Sequence, residues 1–183
     1  MTAVSRHRLS ESPERFRGNV QCGCGKSKAH TSMHIRLDDL SHPAIHALLE
    51  EHLQNMWALS PPESVHALDL AALRNPAITF WSAWRGDELL GIGALKELTP
   101  RHGEIKSMRT PRAARRRGAG RALLNHILEA AGARGYARLS LETGAMVEFT
   151  PARDLYLSAG FTVCGPLGDY TEDPHSLFMT RTL

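Results

Sequence analysis

Residues 115–124 read RRRGAGRALL: three consecutive arginines meet two glycines, and an apolar pattern begins directly behind them. The residues that follow keep apolar side chains at helical spacing, so the sequence predicts a helix that starts within this stretch. The expected apolar stripe consists of Leu123, Leu124, Ile127, Leu128 and Ala131. The arginines therefore gather at a helix N-terminus, where free backbone N–H groups and the helix dipole favour anions.

Two glycines make this helix start suitable for close contact with a ligand. Gly118 and Gly120 carry no Cβ, which lets a ligand approach the backbone. The guanidinium groups of Arg115, Arg116 and Arg117 can bind phosphate oxygens at the rim. A strand, a short basic loop with glycines and a helix together predict a diphosphate-binding site. The spacing matches neither the dinucleotide fingerprint G-x-G-x-x-G nor the P-loop G-x-x-x-x-G-K-[ST].

The order of the predicted elements indicates an α/β fold of the α+β type. Along residues 33–183 the patterns predict the order β-α-α-β-β-β-α-β-α-β-β. This order favours a mixed, mostly antiparallel sheet of six to seven strands flanked by helices, with one parallel pair in its second half. We expect Ser41 to cap the first helix and Thr150 to cap the last, which continues with Pro151 and ends at Gly160.

Positive charge is concentrated at the N-terminus. Residues 1–32 carry a net charge of +4, whereas the other 151 residues sum to −1. The N-terminal segment is rich in Ser, Gly, Lys and Arg without any periodicity, which predicts a disordered basic extension over residues 1–32 and a folded domain over residues 33–183. The extension contains Cys22 and Cys24, which are too closely spaced for an ordinary zinc site, and we expect no metal.

The same distribution argues against several classes of partner. A nearly neutral domain is atypical of nucleic-acid binding, and no aromatic residue for base stacking lies between Arg109 and Arg121. No apolar run approaches the roughly 18 residues of a membrane span, and the N-terminus lacks a secretory signal. We therefore expect a cytoplasmic protein with no nucleic-acid and no membrane partner. A homodimer, and a natural start at Met33, are left open.

The pattern Arg115-x-x-Gly118-x-Gly120 follows the strand EIKSMRT and resembles the acyl-CoA-binding signature R/Q-x-x-G-x-G/A of the GNAT superfamily of N-acetyltransferases. The second half of the chain agrees, because ARLSLETG followed by PARDLYLSAGF is similar to strand five, helix four and the Gly-Phe step of that family. The resemblance covers residues 33–183 and implies a GNAT-like fold.

The resemblance also implies an activity. Acetyl-CoA would be the co-substrate, with no metal, and its acetyl group would pass to a primary amine by direct attack in a ternary complex. The acceptor would be a small molecule, an amino acid or a peptide. A non-catalytic acyl-CoA-sensing or polyanion-binding module on the same fold is the alternative.

By resemblance, one strand and the following loop contact the cofactor. The backbone of residues 108–110 would pair with the pantetheine arm like an added strand, with the Met108 N–H as the oxyanion donor. The N–H groups of residues 116–121 would bind the pyrophosphate. The expected cofactor-binding residues are Met108, Arg109, Thr110, Arg115, Arg116, Arg117, Gly118, Ala119, Gly120 and Arg121.

Three residues are candidates for catalysis. Tyr156 holds the position of the family's proton donor, and with an ordinary pKa of about 10 it stays protonated at neutral pH. A purely structural core aromatic is the alternative. Glu104 is the first candidate for the base, acting directly or through a water, and Glu142 is the second. Each carboxylate could equally be a solvent-facing strand residue.

Loops are expected to bind the acceptor, because binding residues concentrate there. The candidates are Glu63 and His66 between the first two helices, and Tyr170 before the last strand. Phe149 departs from the family pattern, which commonly has an asparagine seven residues before the tyrosine. The segment GAMVEF that contains Phe149 is therefore expected to shape the acceptor pocket.

Overall fold

The computed structural model describes residues 32–59, 61, 64 and 66–183. Of the predicted disordered extension, only Ser32 belongs to the described residues. Cys22, Cys24 and the acceptor candidate Glu63 lie outside them. Within the described part of the chain, no helix combines the length and the apolar character that a bilayer crossing requires.

The described chain contains seven strands and four α-helices in the predicted order. The strands are β1 (His34–Leu37), β2 (Ile78–Arg85), β3 (Glu88–Thr99), β4 (His102–Arg109), β5 (Arg138–Gly144), β6 (Thr162–Cys164) and β7 (Ser176–Thr182). The helices are α1 (Pro43–Leu59), α2 (Leu70–Leu73), α3 (Ala119–Ala133) and α4 (Thr150–Ser158). Short 3-10 helices at Arg112–Ala114 and Val147–Phe149 precede α3 and α4. The predicted fold class is confirmed.

The seven strands form one mixed sheet in the order β1-β2-β3-β4-β5-β7-β6. Its neighbouring strands are antiparallel except for β4 and β5, which run parallel as the sequence predicts and are connected through α3. The parallel register begins at His102 opposite Arg138 and ends at Ile105 opposite Leu141. Beyond that point β4 stays paired with β3, and β5 stays paired with β7, so the two strands separate.

Helices cover both faces of the sheet, which explains why strands β2 to β5 are buried at most of their positions. One core layer joins the sheet to α3 and α4, and its members include Trp81, Leu123, Ile127 and Phe161. The other layer joins the sheet to α1 and α2, and its members include Ile45, Leu49, Phe80 and Ile92. Phe80 and Trp81 belong to different layers because successive side chains of a strand point to opposite faces.

Two helix starts differ from the prediction. At α1 the imidazole of His42 accepts the Ala44 N–H at 3.1 Å, while the Ser41 N–H is used in a preceding turn, so the cap is one residue later than expected. Thr150 is the first residue of α4 instead of its cap, and its hydroxyl accepts a hydrogen bond from Arg153 at 2.9 Å. A nearby side chain replaces the expected capping residue at α1, and α4 starts without any side-chain cap.

Gly103 marks a point where the sheet has no room for a side chain. An added Cβ would lie 2.7 Å from Tyr136 Cε2, 2.8 Å from Leu95 Cδ1 and 2.9 Å from Leu139 Cδ2. We expect Gly103→Ala to lower the free energy of unfolding by about 1–3 kcal/mol, because the extra methyl overpacks the core. Urea denaturation measures this change.

The matched control is Gly132→Ala. Gly132 lies in α3, and no atom lies within 4 Å of an added Cβ. Alanine is the better helix former, so this variant should gain up to about 0.5–1 kcal/mol. A Gly103→Ala protein as stable as the parent would contradict the packing described for the sheet.

Candidate functional site

The gap between β4 and β5 opens into a cavity of about 1060 Å³. Its wall comes from both separated strands, from α1 and the segment before α2, and from the starts of α3 and α4. Because the pairing ends at Ile105 and Leu141, the backbone of β4 beyond Ile105 has no strand partner on the β5 side. Such an edge can hydrogen bond to an extended ligand as to an added strand.

A β-bulge lies in β4 where it borders the cavity. One residue of β3, Gly93, faces two residues of β4, Ser107 and Met108. Ser107 has a φ of +51°, a left-handed conformation that is rare for a residue with a side chain. Bulges re-aim the backbone of a strand, and residues 108–110, the expected pantetheine contacts, all line the cavity.

The loop before α3 forms another part of the cavity wall. Arg116 has a φ of +62° and Gly118 a φ of +86°, and left-handed residues in a loop let successive backbone N–H groups converge on an anion. No side chain caps α3, so the N–H groups of its first turn are free for a ligand. The expected cofactor-binding residues of this segment that line the cavity are Arg115, Arg116, Gly118, Ala119, Gly120 and Arg121.

Arg117 differs from the expectation. Its guanidinium forms two hydrogen bonds with the exposed carboxylate of Glu88 in β3, and the longer of the two is 2.8 Å. This hydrogen bonding lowers the pKa of Glu88 and raises that of Arg117. The Arg117 side chain thus forms a surface ion pair, and its neighbours Arg115, Arg116 and Arg121 are the arginines of this loop and helix start that line the cavity.

Two of the three candidates for catalysis line the cavity, Tyr156 from α4 and Glu142 from the separated end of β5. Tyr156 is buried, and its burial together with the charge of Glu142 raises the pKa of its hydroxyl, which keeps it protonated. Burial also raises the pKa of Glu142, against the opposing effect of a 2.8 Å hydrogen bond from the Ser176 hydroxyl. The structure therefore brings a protonated phenol and a carboxyl of raised pKa to the same cavity.

Glu104 has a different environment from the one expected of a base. Its side chain is only 1% exposed, and among the described residues it is not part of the cavity wall. One carboxylate oxygen accepts hydrogen bonds from the Tyr170 hydroxyl at 2.7 Å and from the Lys106 ammonium at 3.1 Å. Lys106 borders the cavity and Glu104 lies behind it, so direct contact with a bound amine favours Glu142 as the base.

The segment before α4 borders the cavity beside Glu142. The ring of Phe149 lies against Gly144 so closely that an added Cβ there would overlap it. Arg153 fixes the segment by donating hydrogen bonds to the carbonyls of Gly144 at 2.9 Å and Met146 at 2.7 Å. Phe149 itself lines the cavity, in keeping with the expectation that GAMVEF shapes a pocket.

The expected acceptor residues are only partly placed at the cavity. His66 lines it, and its ring lies edge-on to that of Tyr170 with centroids 4.8 Å apart. The sequence reasoning missed His52, Lys106 and His175, which also line the cavity. A usable signal for Lys106 was its spacing of two from Glu104 in a predicted strand, which puts both charged side chains on the same face of the sheet. Among the described residues, no group of three or more His, Cys, Asp or Glu side chains is arranged for a metal ion.

Comparison with known proteins identifies the family. The model of the acetyltransferase (GNAT) family matches residues 42–161. The Bacillus subtilis (strain 168) protein YsnE, described as an uncharacterized N-acetyltransferase, is 60% identical over 151 residues, which cover 82% of this chain and 100% of the relative.

Two solved structures share the fold. A Klebsiella pneumoniae protein with the provisional name of acyl-CoA N-acyltransferase has a TM-score of 0.68 at 25% identity, covering 84% of this chain and 99% of its own. A Bacillus subtilis acetyltransferase solved in complex with CoA has a TM-score of 0.58 at 19% identity, covering 83% and 99%. Because the family match spans more than half of the chain and YsnE matches over its whole length, this chain belongs to the GNAT family of acetyltransferases.

Proposed function

We propose that this protein transfers the acetyl group of acetyl-CoA to a primary amine, by direct attack of the amine in a ternary complex. The observation that carries the proposal is a single cavity that joins the start of α3, the gap between β4 and β5, Glu142 and Tyr156. Acetyl-CoA presents a pyrophosphate, an extended amide arm and a thioester in that order. Each part of the cavity has the chemistry that one part of the cofactor requires.

The pyrophosphate would bind at the start of α3. The free N–H groups there point to an anion site with the positive end of the helix dipole behind them. Arg115, Arg116 and Arg121 line the same region and can form charge-assisted hydrogen bonds with phosphate oxygens. Arg121 also donates a hydrogen bond to Ser158 of α4 at 3.2 Å, which orients its side chain.

The pantetheine arm would extend along the free edge of β4. Its amide groups can pair with the backbone of residues 108–110 as a neighbouring strand would. This pairing satisfies backbone groups that would otherwise need water inside the gap. The bulge at Ser107 and Met108 interrupts the regular pairing of β4 with β3 at this point, and the Met108 N–H would donate to the thioester oxygen.

The chemistry would use Glu142 and Tyr156. The amine nitrogen forms the new C–N bond, and Glu142 takes the proton that the nitrogen loses, directly or through a water. The Met108 N–H stabilises the oxyanion, after which the C–S bond breaks. Tyr156 is protonated because burial raises the pKa of its hydroxyl, so it can donate to the departing thiolate.

Gly120 tests the cofactor site. It lines the cavity, and an added Cβ would meet Leu155 Cδ2 at 3.5 Å and Thr110 Oγ1 at 3.7 Å, which are ordinary contacts. Gly120→Ala should therefore bind acetyl-CoA nearly as the parent does. Gly120→Glu places a carboxylate against the phosphates and should raise the Kd about 100-fold or more, because like charges at an interface cost several kcal/mol. Isothermal titration calorimetry measures both, and equal Kd values for both variants would refute this cofactor site.

Glu142→Gln and Tyr156→Phe test the chemistry as a matched pair of near-isosteres. We expect each to lower kcat about 100-fold or more while the Kd of acetyl-CoA stays the same, because each removes one proton-transfer group. In the parent, kcat should rise with pH as Glu142 loses its proton, and this limb should vanish in Glu142→Gln. CoA release, followed with a thiol reagent over a panel of amines, is the readout.

The raised pKa of Glu142 also predicts an effect on stability. The folded state holds this proton more tightly than the unfolded state, so the contribution of Glu142 to stability is present in acid and lost as pH rises through the folded pKa. Above that pH, Glu142→Gln should unfold at a higher temperature than the parent.

Unchanged kcat in both Glu142→Gln and Tyr156→Phe would contradict the catalytic roles of these two residues. Acetyl-CoA binding without CoA release from any amine would favour a non-catalytic sensing module.

A further inference from the structure

Three polar side chains with unused hydrogen-bonding capacity belong to the wall of the same cavity. Lys106 and Arg109 come from β4 and His52 comes from α1, and all three line the cavity. His52 is half-buried, and its partial burial together with the charges of Arg109 and Lys106 lowers the pKa of the imidazole to about 4. It is therefore neutral at physiological pH, and its Nδ1 atom is buried without a partner among the described residues.

Lys106 and Arg109 each have an N–H donor that makes no hydrogen bond among the described residues. An ammonium has three N–H donors, and Lys106 uses two of them, on Glu104 and on the Tyr170 hydroxyl. Arg109 donates from one terminal nitrogen to Glu51 at 3.3 Å, while its Nε atom is buried and has no partner among the described residues. Buried donors without a partner cost free energy, so a ligand that satisfies them gains affinity.

The counter-charges of these cations lie away from the cavity. Neither Glu104 nor Glu51 belongs to its described wall, so a bound molecule meets the donors of the cations first. Of the acids that line the cavity, Glu142 has the proposed role of base, and Glu148 and Asp154 come from the segment around the start of α4. A polycationic acceptor would find no carboxylate on the wall that α1 and β4 provide.

We propose that Lys106, Arg109 and His52 form a subsite for a carboxylate, and that the amine acceptor therefore carries a carboxylate, with α-amino acids as the smallest members of the class. The inference rests on the acetyl transfer proposed above. A carboxylate accepts about four hydrogen bonds and can take the free Lys106 N–H, the Arg109 Nε–H and, in the tautomer of neutral His52 that carries its proton on Nδ1, the Nδ1–H. Amines without this group leave those donors unpaired, which is the strongest form of discrimination between similar substrates.

The test compares acceptors that differ only in the carboxylate. The full-length parent protein, saturated with acetyl-CoA, receives each standard L-amino acid and its α-carboxamide, and also spermidine as a polycation. CoA release is followed with a thiol reagent. We expect kcat/KM for the preferred amino acid to exceed that of its amide about tenfold or more, which is the effect of one hydrogen bond to a charged group.

Two variants locate the effect. Lys106→Met alone leaves the Glu104 carboxylate buried without its ion-pair partner, which can destabilise the fold. The double variant Glu104→Gln/Lys106→Met removes both charges and is therefore measured beside it. In whichever of the two variants folds, the ratio of kcat/KM between amino acid and amide should fall toward one, because the KM of the amino acid rises. The Kd of acetyl-CoA should stay the same.

Three outcomes would overturn the carboxylate subsite. Amides or spermidine that react as well as amino acids would overturn the carboxylate subsite and leave acetyl transfer intact. A variant that weakens acetyl-CoA binding without changing the amino acid preference would assign the donors to the pantetheine arm and overturn it as well. If acetyl-CoA binds and no amine releases CoA, the proposed transfer fails, and the subsite fails with it.

Discussion

β4 and β5 lie side by side for only four residue pairs, and the site depends on where this pairing stops. β5 remains fully paired with β7 along seven residue pairs, and β4 remains paired with β3 as far as Arg109. The sheet therefore stays intact on both sides of the gap while backbone groups inside it lack a strand partner. Polar backbone groups in that position are costly unless water or a ligand satisfies them. The proposed function fills this gap with an extended molecule whose amide groups satisfy these backbone groups.

The charges of the molecule are arranged around this gap. Arg117 is neutralised at the surface by Glu88, and Lys106 is neutralised in the interior by Glu104. The two pairs have different consequences, because exposed ion pairs contribute little to stability whereas a buried charge needs its partner. The cations that line the cavity near α3, by contrast, include Arg115 and Arg116, and both are available to a polyanion. A protein body of nearly neutral charge can attract a polyanion at this place because the positive charge is concentrated near the start of α3.

Much of the fold could be predicted because its signals are local. The apolar stripe of α3 and the glycines at 118 and 120 lie within one stretch of sequence, and the structure places both glycines at the cavity. Gly160 ends α4 with a φ of +84°, as a residue without a side chain allows. The element order followed from such patterns, and the order in turn indicated the parallel pair.

The remainder depends on residues that are distant along the chain. The Arg117 side chain turns away from the cavity because Glu88, 29 residues earlier, lies within reach. Glu104 is buried behind Lys106 because Tyr170, 66 residues later, donates a hydrogen bond to it. The left-handed conformation of Ser107 has no signal in the sequence, since nothing about a serine predicts it. Sequence patterns therefore found the loop and the strand that line the cavity, whereas the side-chain partners of Arg117 and Glu104 depend on the folded chain.

Amide hydrogen exchange in the presence and absence of CoA tests the central claim most directly, because the claim concerns backbone N–H groups. If the cofactor lies along β4 and ends at the start of α3, exchange should slow at residues 106–110 and 116–121, while β1, on the far side of the sheet order, should not change. Unchanged exchange at both segments with CoA bound, or protection confined to other parts of the chain, would contradict the account.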